Sequence, residues 1–101
     1  MDLSQEEWTS KLNEIKDNII LDVRTFEESN QKRIPNSKLL DIASPSDFIK
    51  GLNALDKKKS YFIYCRSGNR SSQACSVMSS MGFDKTYNLV GGIIEWKGET
   101  E

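Results

Sequence analysis

The sequence predicts an α/β domain built on a mainly parallel sheet, and three observations carry that prediction. Strand-type and helix-type segments alternate along the chain over short connections. One of them, Ile19-Ile20-Leu21-Asp22-Val23, is a continuous apolar run with a single acid, the pattern of a strand buried on both faces of a parallel sheet. The 101 residues, 37% hydrophobic and 29% charged, suffice for one core and leave room for one domain, residues 1–101.

The elements follow in order. Leu3-Ser4-Gln5-Glu6-Glu7-Trp8 opens the first helix, with Ser4 and Glu7 as a capping box and Leu3 and Trp8 as a hydrophobic staple. Trp8, Leu12 and Ile15 then share one face of a helix that ends near Lys16. After the Ile19–Val23 strand, Thr25 and Glu28 form a second capping box over a short helix. Ile34-Pro35-Asn36 breaks the chain, and Lys38 to Ile42 makes a short strand. Ser44-Pro45-Ser46-Asp47 starts a helix with a cap, a proline at the first position and an acid at the third. Phe48, Ile49, Leu52 and Leu55 supply its apolar stripe. Lys57-Lys58-Lys59 belongs to a solvated turn before Ser60–Tyr64, a strand rich in β-formers. Cys65 to Arg70 is a polar loop containing Gly68; from Ser71, the residues Ala74, Val77, Met78 and Met81 recur at helical spacing until Gly82 stops the helix. Thr86–Leu89 is the last strand, and Gly91-Gly92 leads into one or two helical turns over Ile93–Trp96.

Composition narrows the chemistry. The chain has no His, which removes Ser-His-Asp and Cys-His nucleophile pairs and every His-containing zinc site. Two cysteines, Cys65 and Cys75, are too few for an all-cysteine zinc site or a disulfide framework, so neither metal nor cofactor is expected. A net charge of −1 offers no footprint for nucleic acid. Met1 to Trp8 is acidic and polar, unlike a signal peptide, and no apolar stretch approaches the roughly 18 residues of a membrane span. Free thiols without an export signal are expected in a reducing cytoplasm, with no membrane partner.

In parallel sheets of this class the active groups gather outside the carboxyl ends of the strands. Those ends are Asp22-Val23-Arg24, Asp41, Cys65 and Leu89 to Gly92. Tyr64-Cys65-Arg66-Ser67-Gly68-Asn69-Arg70-Ser71-Ser72 places a cysteine at a strand end, before a tight loop that opens a helix. A loop turned around a central glycine aims backbone N–H groups inward, and with the helix dipole, Arg66 and Arg70 it favours an anion. A thiolate there is expected below the free thiol value of about 8.5, so activation by position replaces the missing base. The bland alternative is a buried cysteine ending a strand beside two surface arginines. Ser67, Gly68 and Asn69 act through backbone N–H groups, and Gly68 needs a positive φ. Arg70 ends the loop and is expected to pair with a carboxylate behind it, with Asp22 the candidate. Arg24 pairs with Glu27 or Glu28, or else lines the site. Cys75 is expected to pack in its helix rather than act as a resolving thiol.

Tyr64-Cys65-Arg66-Ser67-Gly68-Asn69-Arg70-Ser71 resembles the active loop of the rhodanese-like sulfurtransferases. The resemblance covers nearly the whole chain. Leu21-Asp22-Val23-Arg24 with Glu27-Glu28, then Ile34-Pro35, Gly82-Phe83, Tyr87-Asn88-Leu89 and Gly91-Gly92-Ile93 with Trp96 follow in the family's order. The chain departs from the pattern at Lys32-Arg33, where the family has Gly-His, and at Asn36-Ser37, where it has Gly-Ala. The resemblance implies a three-layer domain: a mainly parallel five-stranded sheet flanked by helices, its first strand short and near Met1 to Leu3. It also implies that Cys65 accepts a sulfane sulfur as a persulfide and passes it to a nucleophile. Arg66, Ser67, Gly68, Asn69, Arg70 and Ser71 would then form the persulfide-binding loop, with Asp22 and Arg24 in support. The donors so implied are thiosulfate or a protein persulfide, and the acceptors a thiol or cyanide, with a protein partner if sulfur is relayed.

Two other functions compete. Cysteine phosphatases and arsenate reductases need a Cys and an Arg separated by five residues around a tetrahedral oxyanion, whereas only four separate Cys65 from Arg70. The shorter loop suits a single sulfur atom. A non-catalytic interaction module would be expected to have lost the cysteine.

Overall fold

The computed structural model describes residues 1–101. Five parallel strands, β1 (Asp2–Leu3), β2 (Asn18–Asp22), β3 (Ser37–Leu39), β4 (Ser60–Tyr64) and β5 (Thr86–Leu89), form one sheet in the order β1-β5-β4-β2-β3. The apolar strands pair centrally: β4 lies against β2 from Asn18↔Ser60 to Asp22↔Tyr64, and against β5 on its other side. Every residue of β4 is buried, as the unbroken β-forming run requires.

Because side chains alternate across a strand, these runs feed two separate cores. Leu21, Val23, Tyr61, Ile63 and Cys65 face one way and pack with Phe48 and Leu52 of α3 (Pro45–Asn53) and Ala74, Cys75 and Met78 of α4 (Asn69–Ser80). Ile20, Phe62 and Tyr64 face the other way, toward Trp8 of α1 (Gln5–Glu14), Ile34 and Ile93. The short helix α2 (Phe26–Gln31) follows β2, and a 3-10 turn over Ile93–Glu95 follows β5. Helices on both faces make the three layers expected from the sequence. No helix is long and apolar enough to cross a membrane.

Both capping boxes form, Ser4 with Glu7 and Thr25 with Glu28. Several details differ from the sequence reading, including a β2 that runs Asn18–Asp22 rather than Ile19–Val23. Helix α1 stops at Glu14 because Ile15 is extended and the Asn18 amide donates to the Leu12 (3.0 Å) and Ile15 carbonyls, taking acceptors at the helix end. Strand β3 spans Ser37–Leu39, earlier than Lys38–Ile42, although Leu40 and Ile42 still donate to the Asp22 and Val23 carbonyls at 2.8 and 3.3 Å. Helix α3 begins at Pro45, but the Ser44 side chain makes no cap bond, and Ile49 is exposed rather than part of the buried stripe. Helix α4 begins at Asn69 rather than Ser71, because left-handed Gly68 (φ 109°) is its N-cap and the Ser72 N–H closes the first turn on the Gly68 carbonyl at 3.1 Å.

Trp8 is the keystone of the second core. It is fully buried, stands edge-on to Phe62 and Trp96 at 5.6 Å each, and donates its indole N–H to the Tyr87 carbonyl at 3.1 Å. Trp8→Ala is expected to cost about 3–5 kcal/mol, read as a lower urea midpoint. A loss under about 1 kcal/mol would contradict this placement.

Candidate active site

The carboxyl edge of the sheet assembles the site. Strand β4 delivers Cys65, β2 delivers Asp22, and β5 leads into Gly91-Gly92. Cys65 retains 1% of its surface, and its sulfur accepts the Gly68 N–H at 3.1 Å, with the Ser71 hydroxyl at 3.4 Å. The loop is aimed by its neighbours. The Ile93 and Ile94 N–H groups donate to the Cys65 and Arg66 carbonyls, each at 3.0 Å. In a trans peptide the N–H points opposite to the carbonyl, so anchoring the Arg66 carbonyl outward turns the Ser67 N–H inward, toward the sulfur. Gly92 permits this contact: a Cβ there would lie 2.3 Å from the Arg66 carbonyl oxygen.

Burial pushes the Cys65 thiol up, but the Ser71 hydroxyl and the backbone N–H groups of Ser71, Gly68 and Ser67 outweigh it and hold the thiol below its ordinary value. The expected low thiol is present, with a corrected cause. Hydroxyl and amide donors are the main cause; Arg66 is exposed, while Arg70, although paired with Glu28, still attracts the Cys65 thiolate through space.

Both ion-pair assignments are also corrected. Arg70 clamps Glu28 with two bonds of 2.7 and 2.9 Å, not Asp22. Arg24 pairs with Asp22, not with Glu27 or Glu28, and also lines the surface cavity beside Arg66, as the alternative reading had it. The reason is local: Asp22 and Arg24, two apart in extended chain, lie on one side of the strand end. The Asp22 carboxylate takes the Arg24 backbone N–H (3.0 Å), its Nε (2.9 Å) and a terminal nitrogen (2.7 Å), and also the Tyr64 hydroxyl (3.0 Å), leaving no room for Arg70. Arg24 also donates to the Lys32 carbonyl at 2.7 Å, and Tyr64 accepts the Ile34 N–H at 3.1 Å. This buried cluster ties β2, β4 and the Lys32–Ile34 segment together beneath the site.

Of the residues singled out from sequence, the structure gathers Cys65, Gly68 and Ser71 around the sulfur, with Ser67 contributing its N–H. Asn69 is exposed at the first turn of α4. Arg66 lines a surface cavity of about 290 Å³ with Lys32, Gln31 and Ile94. Cys75 is buried in the α4 core, which pushes its thiol up to about 11. The sequence reading missed Glu28 as the Arg70 partner, and Tyr64 and Asn88 as buried polar groups; a lone Asn between Tyr87 and Leu89 in a buried strand was the available signal. No group of three or more His, Cys, Asp or Glu side chains is placed to hold a metal.

Comparison with known proteins gives the family and the fold. Residues 4–99 match the Rhodanese-like domain family. A sulfurtransferase of Allochromatium vinosum is 34% identical over 96 residues, covering 94% of this chain and 86% of that protein. A tRNA uridine(34) hydroxylase of Pelagibacter ubique is 32% identical over 94 residues, but the chain spans only 31% of its length. Among solved structures, a rhodanese-like domain protein from Staphylococcus aureus superposes with a TM-score of 0.81 at 34% identity, covering 97% of this chain and 92% of that one.

Titrating the two thiols by NMR of protein labelled at cysteine Cβ should give one midpoint below the ordinary thiol value, from Cys65, and a second near 11, from Cys75. A Cys65 midpoint at or above that of free cysteine would contradict the cradle. Glu28 provides a second measurement. Its Arg70 hydrogen bonds lower its pKa from 4.5 to about 2, so the pair stabilises the fold above the unfolded value and loses that effect as pH falls through about 2. The stability gap between the protein and Glu28→Gln should therefore shrink as pH drops from 4.5 to about 2; a gap independent of pH would show that the carboxylate charge is not what matters.

Proposed function

The chain belongs to the rhodanese-like family, and on that premise we propose that it is a sulfurtransferase carrying sulfane sulfur on Cys65 as a persulfide. The observation that supports it is the ring of loop N–H donors around a cysteine sulfur at a strand end, in a chain with no histidine to serve as base. The Cys65 thiolate attacks the sulfane sulfur of a donor, such as thiosulfate or a protein persulfide. The donor's bond to that sulfur breaks, its electron pair leaving as sulfite or thiolate. The outer sulfur of the new persulfide is anionic and fits a cradle of N–H groups. A thiol or cyanide then attacks that outer sulfur, and the S–S bond breaks with its electron pair returning to the Cys65 sulfur. Arg66, exposed beside Lys32 on the cavity rim, draws an anionic donor in. Ser67, Gly68, Asn69, Arg70 and Ser71 shape the cradle, while Asp22 and Arg24 brace it from below. A protein able to hand over or receive the sulfur completes a relay.

Phosphate or arsenate chemistry is disfavoured because only four residues separate Cys65 from Arg70, and the Arg70 guanidinium fork is turned onto Glu28. A purely structural module would have no use for a thiol held below its ordinary value.

After incubation with thiosulfate or a cysteine-desulfurase system, the intact chain should gain the mass of one sulfur atom, reversed by cyanide. Cys65→Ser should abolish the gain with the fold intact, and Cys75→Ser should keep it near the parent level. A gain in Cys65→Ser, or its loss in folded Cys75→Ser, would remove Cys65 as sole carrier. No gain from either donor would favour the interaction module.

A further inference from the structure

The Ser71 hydroxyl has one proton and three acceptors within reach. Its oxygen lies 3.4 Å from the Cys65 sulfur, 3.2 Å from the Gly68 carbonyl and in short contact with Oδ1 of Asn88. Ser71 is fully buried and Asn88 is 4% exposed, so no bulk water makes up a deficit. The Gly68 carbonyl does not need the hydroxyl, because it already accepts the Ser72 N–H at 3.1 Å. The competition is between the sulfur and Asn88.

The amide of Asn88 cannot escape it by turning over. Its nitrogen donates to the Asp2 carboxylate at 3.0 Å and reaches toward the Gly68 carbonyl at 3.4 Å, both of which only accept. A flipped amide would set its oxygen against those two oxygens. The network therefore fixes Oδ1 toward Ser71.

We propose that Asn88 is a positioning residue that holds the Ser71 hydroxyl proton away from the Cys65 sulfur until that sulfur becomes negative. With Cys65 as a thiol, the hydroxyl donates to Asn88 and accepts the S–H. When the thiol loses its proton to solvent, the hydroxyl turns to the sulfur and leaves Oδ1 of Asn88 without a donor. Asn88 thus opposes formation of the thiolate, acting through Ser71. On the sulfurtransferase reading, the same swing occurs when an acceptor removes the outer sulfur and the bond's electron pair stays on the Cys65 sulfur. In the persulfide that inner sulfur is uncharged, and the Ser71 hydroxyl again donates to Asn88. Asn88 then sets how good a leaving group Cys65 is.

The charged groups facing this cluster are Asp2, bound to Asn88; Arg70, paired with Glu28; Asp22, paired with Arg24; and the Met1 ammonium, on the Thr86 carbonyl. Arg66 lies exposed on the loop. Asn88→Leu takes the amide donor from Asp2, which as a freer carboxylate would raise the Cys65 midpoint, opposite to the predicted shift; the other groups keep their partners.

The test titrates Cys65 by cysteine Cβ NMR and measures no sulfur transfer, so it fails or succeeds separately from the sulfurtransferase reading. Asn88→Leu, close in volume and unable to accept, should lower the Cys65 midpoint by about one pH unit. Ser71→Ala should raise it, and the double variant should titrate like Ser71→Ala alone. An unchanged or raised midpoint in folded Asn88→Leu, or a shift that persists without Ser71, overturns the proposal. Should Asn88→Leu not fold, the parent protein still decides: the Asn88 side-chain carbonyl carbon should titrate with the Cys65 midpoint, and lose that response in Ser71→Ala. A flat carbonyl signal in the parent overturns it as well.

Discussion

A buried sulfur anion needs donors, and in this chain most of them come from the backbone. The N–H groups of Ser67, Gly68 and Ser71, with the Ser71 hydroxyl, supply them. Such donors work only when their direction is fixed in advance, since a loop free to turn would present carbonyl oxygens as readily as N–H groups. Much of the architecture around the loop can be understood as fixing that direction.

Three devices do it at increasing distance from the sulfur. Gly68 takes a positive φ that turns the chain from strand end to helix start within four residues. The 3-10 turn after β5 binds the Cys65 and Arg66 carbonyls from outside, an approach that only a glycine at position 92 allows. Farther back, Arg70 reaches Glu28 on α2, and Asp22 gathers Arg24 and Tyr64 into a buried cluster. Arg70 and Arg24 serve as braces. A guanidinium that forks onto a carboxylate positions the backbone on which it stands.

What the sequence made legible was local or periodic. The capping boxes at Ser4 and Thr25, the strand-ending Cys65 and the positive φ of Gly68 each depend on a few neighbouring residues, and each is present in the structure. The errors fell on pairings between elements. Arg70 meets Glu28 rather than Asp22 because the reach of two side chains depends on where α2 docks, which no spacing reveals. Arg24 with Asp22 was within reach of sequence reasoning, since residues two apart at a strand end share a side. The start of α4 at Asn69 was hidden because its first turn is polar, so apolar periodicity began only later. Asn88 went unread because a single polar residue in a buried strand announces a partner without naming it.

The central claim is that the loop N–H groups hold the anionic sulfur, and amide NMR of uniformly labelled protein before and after sulfur loading tests it most directly. The account predicts that the N–H protons of Ser67, Gly68 and Ser71 move downfield together on loading, as donors to a charged acceptor do, while the Arg66 guanidinium signal changes little. Loading that shifts the arginine signals and leaves those three amides in place would contradict it.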